Sequence, residues 1–546
     1  ALEETTTGAN NTALGYKALE ANTTAGNNTA VGYQALLDNT TGANLTAIGY
    51  EALANNTTGN YNVALGLQSL VTNTTGNNNT GLGYQALNSN TTAENNVAVG
   101  YNAVRSNQTG THNTGLGVNA LYSATGGENT AVGSAALYSA TTGNNVAVGR
   151  RALVTVTTGT RNTAVGTLSL EDNTASDNVS VGYHAAKNVT SGSNNTIMGT
   201  EAFSSNTTGT ANAAFGYRAL DANTTASYNT ALGQAALGSN TTAEYNVAVG
   251  YNTLGSNTTG ARNTGLGQGA LFTNSTGSYN VAVGRHALIN NTSADNNTAV
   301  GYEALYGNTT GDRNVAVGTQ ALDANSTADG NTGVGYEALG TNTGSELNTA
   351  IGFNALRLYN NSSGSGYNTA VGGNTGDQLT TGVQNTLIGG LAGVSLTTGQ
   401  ENIAIGYAAL DADDQGKGSV AIGVNSLGSQ NLGDAYSNNV SIGHNSGASV
   451  TTGTLNTIVG AYAGDAITTG VSNVAMGYEA LTATTTGGNN VAIGVEALEA
   501  NTTGSTNTAL GTSALKTNTT GANNVSVGVG AGQLSTTAGY NTFLGA

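Results

Sequence analysis

The 546-residue chain has no cysteine, no proline and no tryptophan, and only 8% of its residues are charged. Each absence excludes something. Without cysteine there are no disulfides and no thiolate metal sites, and the redox compartment leaves no mark on the sequence. Without proline every backbone amide keeps its donor, as a sheet whose amides are all paired requires. Charge is sparse and free of runs: 13 basic against 30 acidic residues give a net −17. That balance favours solubility and opposes binding to nucleic acid or anionic membrane through phosphate contacts. No apolar stretch approaches a membrane span, and no charged start with an apolar core marks a signal peptide.

What is present is a period. A glycine recurs 32 times from Gly15 to Gly545, inside variants of N-T-A-V-G-Y-x-A-L-x-x-N-T-T-G-x-x. Of the intervals, 26 are 17 residues, three are 16 and two are 20. Aliphatics are locked to the period: Leu14, Val31, Ile48 and Leu65 precede the glycine, while Leu19, Leu36, Leu53 and Leu70 follow it by four. A disordered low-complexity chain has no need of such registration. An unbroken short repeat predicts one continuous, elongated array over 1–546 in which each unit packs on its neighbours, with a less regular section over 353–470. Ala1 to Gly8 aligns with the second half of a unit, and Phe543 to Ala546 stops within one, so both ends read as cuts through a longer array.

Seventeen residues rich in Asn, Thr, Gly and Val are too few, and too poor in helix formers, for a helical hairpin. Two short strands and two turns fit, so the expected fold is all-β: a parallel β-solenoid of about 32 coils, a rod of roughly 150 Å at the ~4.8 Å strand spacing. In Asn28-Thr29-Ala30-Val31-Gly32, the two-residue strand period puts Thr29 and Val31 on one face and Ala30 and Gly32 on the other. The Ala and Gly face reads as a flat surface that another backbone can approach, and burying it between chains offers a thin-cored coil a motive to self-associate. Charging it with Ala248→Asp and Ala282→Asp is then expected to prevent assembly.

A paired exchange supports a shared interior. Most copies carry Leu four residues after the glycine and Asn seven after it, as at Leu19 and Asn22. After Gly372, Gly389, Gly443 and Gly460 the fourth residue is Gly376, Gly393, Gly447 or Gly464, and the seventh is Leu379, Leu396, Val450 or Ile467. One large apolar side chain per coil is what a narrow core admits. Asn at the seventh position is therefore expected to point inward or cap the turn, forming a stacked amide ladder. Copies shortened to 16 residues end at Gly133, Gly149 and Gly182. Three-residue insertions precede Gly372 and Gly443, near Asn360-Asn361-Ser362-Ser363-Gly364 and Gly433-Asp434-Ala435-Tyr436, and are expected as surface loops.

Few residues of the chain carry chemistry. His112, His184, His286 and His444 lie in separate coils, where no pair can share a metal or form a relay, and they read as solvated surface positions. Asp411, Asp413 and Asp414 could touch a cation but lack the glycine-rich nonapeptide of calcium-binding β-rolls. Gly-x-Gly pairs such as Gly115-Leu116-Gly117 have no crossover helix after them and are products of the repeat. The many Asn-x-Thr sequons follow from the turn. Tyr follows the glycine in twelve coils, including Tyr16, Tyr33, Tyr50, Tyr84, Tyr101 and Tyr217, and reads as a corner side chain covering the edge of the coil, with a glycan-binding stripe as the functional alternative. No catalytic, cofactor-binding or metal-binding residue is assigned, no cofactor is implied, and the chain is not expected to be an enzyme.

The phased core, as in Asn62-Val63-Ala64-Leu65-Gly66 and Asn402-Ile403-Ala404-Ile405-Gly406, resembles the head repeats of YadA-like trimeric autotransporter adhesins, and similar repeats occur in phage tail-fibre proteins. The resemblance spans the whole chain, although the coils here are longer and carry an extra Asn-Thr-Thr-Gly turn, and no neck, heptad stalk or anchor barrel follows. It implies a left-handed β-roll, a parallel homotrimer and an extracellular or cell-surface location, or alternatively a virion. The functional expectation is a structural and adhesive fibre, a rigid shaft for attachment or display of a tip, with an unknown receptor. A phage tail-fibre shaft or an end-to-end filament is the alternative. An ice- or surface-binding Thr array ranks behind these because no regular Thr-x-Thr strand is present.

Overall fold

The computed structural model describes residues 2–362 and 364–545; Ser363, inside the first expected insertion, lies outside the described residues, as do Ala1 and Ala546. The chain divides into two compact units, Ala1–Gln268 and Gly269–Ala546. In the first, sixteen three-residue strands from Thr12–Leu14 to Thr264–Leu266 occur one per coil. They pair in parallel and in register, Thr29 against Thr46, Ala30 against Ala47 and Val31 against Ile48. The second runs from Val281–Val283 to Thr542–Leu544 on the same plan. It adds one parallel pair of two-residue strands, Ser345–Glu346 with Gly364–Ser365, at the first insertion. Among the described residues there is no helix. Each unit is an all-β parallel solenoid with a 17-residue coil, as the period predicts.

The wall opposite the strand is not a second regular strand. Gln34 and Leu36 both lie in the left-handed region, at φ +51°. Their amides point in opposite directions along the stack: Gln34 N–H donates to Tyr16 O of the preceding coil (2.9 Å), and Leu36 N–H to Ala52 O of the following one (3.0 Å). Left-handed backbone costs a non-glycine residue about 1–2 kcal/mol. Here the strain is offset by inter-coil hydrogen bonds, which alternate along the segment and would be lost in any relaxed conformation. The repeat glycine has no such freedom of residue choice. At Gly216, φ is +136° and a Cβ would lie 2.5 Å from the carbonyl oxygen of Gly233 in the next coil.

The interior reverses one expectation. The central Ala of the strand faces inward: Ala30, Ala47, Ala64 and Ala248 have no exposed surface. The flanking Thr and aliphatic residues point outward, so the face read as a contact between chains is the lining of the coil itself. The reason is the thinness of the coil. Where the centre is Gly81, a Cβ would already stand 3.3 Å from the carbonyl oxygen of Ala86 on the opposite wall. The close backbone approach that small residues permit is therefore within one coil. Beside it sits one fully buried Leu per typical coil, such as Leu19, Leu36 and Leu53. Burying each contributes roughly 1.5–3 kcal/mol.

The amide ladder forms as expected. Asn39 Nδ2 donates to Asn22 Oδ1 (3.1 Å), Asn56 to Asn39 (2.9 Å) and Asn73 to Asn56 (2.8 Å), all fully buried. In the second unit Asn308 donates to Asn291 (3.2 Å) and Asn325 to Asn308 (3.0 Å). A second buried ladder, not anticipated, uses the Asn that precedes the coil strand everywhere but at Leu45 and Ser419. Asn62 Oδ1 accepts from Asn79 N–H (2.8 Å) while Asn62 Nδ2 donates to Gly76 O (2.7 Å). Asn73 Nδ2 donates to the same carbonyl (3.1 Å), so both ladders close on one turn. Buried amides satisfied in this way cost little, whereas an orphaned one costs about 1–3 kcal/mol.

The exchange of apolar residues holds and has a third member. Leu379, Leu396, Val450 and Ile467 are fully buried. The strand centres nearby enlarge to fill the space left by the missing Leu. A Cβ on Gly376 would meet Leu387 Cδ1 at 2.8 Å, and one on Gly447 would meet Ile458 Cδ1 at 3.0 Å.

Coil length follows the seventh residue in part, for the third 16-residue coil keeps Asn173 and the coils of Leu379, Leu396 and Ile467 keep 17 residues. Ala124 and Ala140 stand there in two of the 16-residue coils, while the two 20-residue coils carry Tyr359 and Gln430, all four fully buried. Each insertion thus accompanies a buried Tyr or Gln at the seventh position.

Candidate functional surface

The outward face of the strand wall is built by the same alternation that turns Ala inward. Three side chains per coil share it: Thr or Val, then the aliphatic before the glycine, then the residue after the glycine. The middle ladder is apolar throughout and incompletely covered. In the first unit Ile48 is 37% exposed, Leu65 44% and Leu232 48%; in the second, Met476 is 40% and Leu510 46%. Charge is nearly absent from its neighbours, Arg150 and Arg285 being the charged residues that directly follow a repeat glycine, with His444 titratable. A flat, uncharged ladder of this kind exceeds the scattered apolar residues of an ordinary surface.

Tyrosines border it. Tyr16, Tyr33 and Tyr50 stack in sequence with centroids 5.3 and 5.0 Å apart, and Tyr84 stacks on Tyr101 at 5.0 Å. Because each ring lies on the next, the faces are spent within the stack while edges and hydroxyls meet solvent. In these five tyrosines the geometry is that of a side chain covering the coil edge. Two further stacks lie in other rows, Tyr122 on Tyr138 (4.9 Å) and Tyr228 on Tyr245 (5.0 Å).

The titratable residues singled out from the sequence are not brought together. His184 stacks on its neighbour Tyr183 (3.8 Å), His286 Nδ1 lies 3.9 Å from Glu303, His444 meets the edge of Tyr462 (5.3 Å), and His112 lies by Asn95 (3.3 Å). The acidic trio separates by depth. Asp413 replaces the ladder Asn and is fully buried, whereas Asp411 and Asp414 are half-buried. Gly416 N–H (2.9 Å) and Gln430 Nε2 (2.8 Å) donate to the Asp413 carboxylate, yet burial pushes its pKa up. Among the described residues no three His, Cys, Asp or Glu side chains are placed to hold a metal ion. No described helix is long and apolar enough to cross a membrane.

The turn residues are committed to the stack. Sequon asparagines such as Asn22 and Asn39 are buried with their amides bonded. The first Thr of the Thr-Thr pair donates to the next coil, Thr40 Oγ1 to Thr57 O at 3.0 Å. No protein-family model matches the chain, and no curated protein is significantly similar to it.

Proposed function

We propose that the chain is the shaft of a structural and adhesive fibre, working outside the cell or on a virion, and that it self-associates as a parallel homotrimer through the outward aliphatic ladder. The observation that carries this reading is that ladder: one half-exposed Val, Leu, Ile or Met per typical coil, flanked by Thr and Tyr and almost free of charge. Burying such a ladder contributes about 25 cal/mol per Å² of apolar surface. A row repeated at every coil supplies contact in proportion to the number of coils in register. In-register copies of one chain offer a matching ladder with the same spacing, which an unrelated partner does not. The coils spend their polar groups on inter-coil bonds, which suits a load-bearing shaft, and many weak lateral contacts would give avidity without a strong single site. Handedness of the coil is carried here by the resemblance to the adhesin heads alone. Catalysis is not part of the proposal.

The test is to charge the ladder without touching the interior. Val148→Glu with Val165→Glu places carboxylates on two adjacent coils of the outward face. The variant is expected to keep the β-rich circular dichroism of the parent and to sediment as a smaller species. An unchanged sedimentation coefficient in a folded variant would place the contact elsewhere or remove it.

A further inference from the structure

Sixteen ladder asparagines, from Asn22 to Asn518, begin an Asn-x-Thr or Asn-x-Ser sequon, the acceptor of N-linked glycans, and none of them has exposed surface. Both hydrogens of the side-chain amide are spent along the ladder. Asn39 Nδ2 donates to Asn22 Oδ1 of the preceding coil (3.1 Å) and to Gly42 O of its own turn (3.0 Å). Asn56 repeats the pair with Asn39 Oδ1 (2.9 Å) and Gly59 O (3.0 Å), and Asn325 with Asn308 Oδ1 (3.0 Å) and Ala328 O (3.1 Å).

Glycan transfer replaces one of those hydrogens. The anomeric carbon of a lipid-linked oligosaccharide bonds to Nδ2, its bond to the phosphate oxygen breaks, the lipid pyrophosphate leaves, and the displaced proton passes to solvent. A secondary amide remains, with one hydrogen and a bulky polar substituent. On Asn39 this deletes either the ladder bond or the turn bond and orphans a buried acceptor. It also sets a sugar where even a Cβ on Gly42 would stand 2.5 Å from Asn39 Oδ1. Folding does not shield the site in time, because transfer acts on the extended chain and a solenoid coil packs only on its neighbours. The residue that continues the ladder past Asn39 is Asn56, 17 residues on.

A second set of sequons has the opposite character. Asn27, Asn44 and Asn78 stand exposed at the corner before the strand. Asn27 Nδ2 donates to Asn44 Oδ1 (3.3 Å), which leaves its other hydrogen to solvent.

We infer that N-glycosylation and this fold exclude one another at the ladder and tolerate one another at the corner. The chain folds only where its ladder sequons escape modification, so it is made on a route that avoids the oligosaccharide transferase of a eukaryotic secretory pathway. No step of this uses the trimer or the outward ladder, and it holds whether or not the chain is a fibre.

The experiment is secretion of the full chain, behind a cleavable signal peptide, from cultured animal cells, with the same chain from bacterial cytoplasm as the folded reference. The decisive variant removes the buried sequons and keeps every buried Asn. The exposed third residue of each ladder sequon becomes Ala, as in Thr41→Ala and Thr58→Ala. Ser180→Ala, Ser441→Ala and Ser526→Ala remove the Asn-Val-Ser sequons at Asn178, Asn439 and Asn524 and restore the usual strand centre. The parent is expected to be lost from the medium and retained in the cell as a glycosylated, protease-sensitive chain. The variant is expected in the medium, folded by circular dichroism, with glycans at Asn27 and Asn44. Blocking transfer with tunicamycin tests the parent sequence itself and should release it from retention. Folded parent chain in the medium, its ladder asparagines modified or bare, would overturn the inference, as would retention that persists under tunicamycin or in a variant that folds in bacteria.

Discussion

Asp413 stands where a regular coil places a neutral asparagine, with apolar Leu396 at the same position one coil before and Gln430 one coil after. Its folded pKa is raised by burial. An unfolded Asp releases its proton near 3.9. Between those values the folded chain binds more protons than the unfolded one, so this residue makes stability fall as pH rises, and its cost is full above the folded pKa. Asp413→Asn is therefore expected to raise the melting temperature at pH 7 and to have almost no effect below about pH 4. Thermal melts at both pH values check this; an equal gain at both would remove the charge from the explanation. Two substitutions probe the neutral interior. Asn223→Leu, in a coil that keeps buried Leu220, overpacks the core and breaks the amide ladder, with an expected loss of about 1–3 kcal/mol in denaturant melts. Ala248→Asp buries an unpaired carboxylate and should cost more than about 3 kcal/mol, unfolding its coil instead of testing an interface.

At the scale of the coil, the two insertions coincide with the bulky polar side chains Tyr359 and Gln430 at the seventh position. If the insertion before Gly443 exists to accommodate Gln430, removing Leu432 to Asp434 should be tolerated with Gln430→Asn and destabilising with Gln430 retained. A double-mutant cycle by thermal melting reads this as a favourable coupling; additive effects would make the loop a neutral insertion. Much of the coil was legible. The period, the missing proline and the Leu-to-Asn exchange led to a parallel solenoid with an inward amide, because each is a constraint on which groups share the interior. The facing of the strand was not legible from its two-residue period, which separates Thr29 and Val31 from Ala30 without saying which side is inside. A signal for it was present. Leu387, Ile458 and Phe543 enlarge the strand centre where Gly376 and Gly393, Gly447 and Gly464, or Gly532 stand across the coil, which places that centre in the core. The second Asn ladder left a fainter trace, its Asn being replaced at Leu45 and at Ser419 alone.

For the whole molecule, the same correction moves the proposed assembly surface from the Ala lining to the Thr and aliphatic face. The motive for association becomes stronger, because the exposed ladder is apolar and the lining is already buried. The most direct test of the fibre reading is the solution mass of the unaltered chain by light scattering. The account predicts three times the 53.9 kDa of one chain. A mass of one chain, stable across concentration, would contradict it.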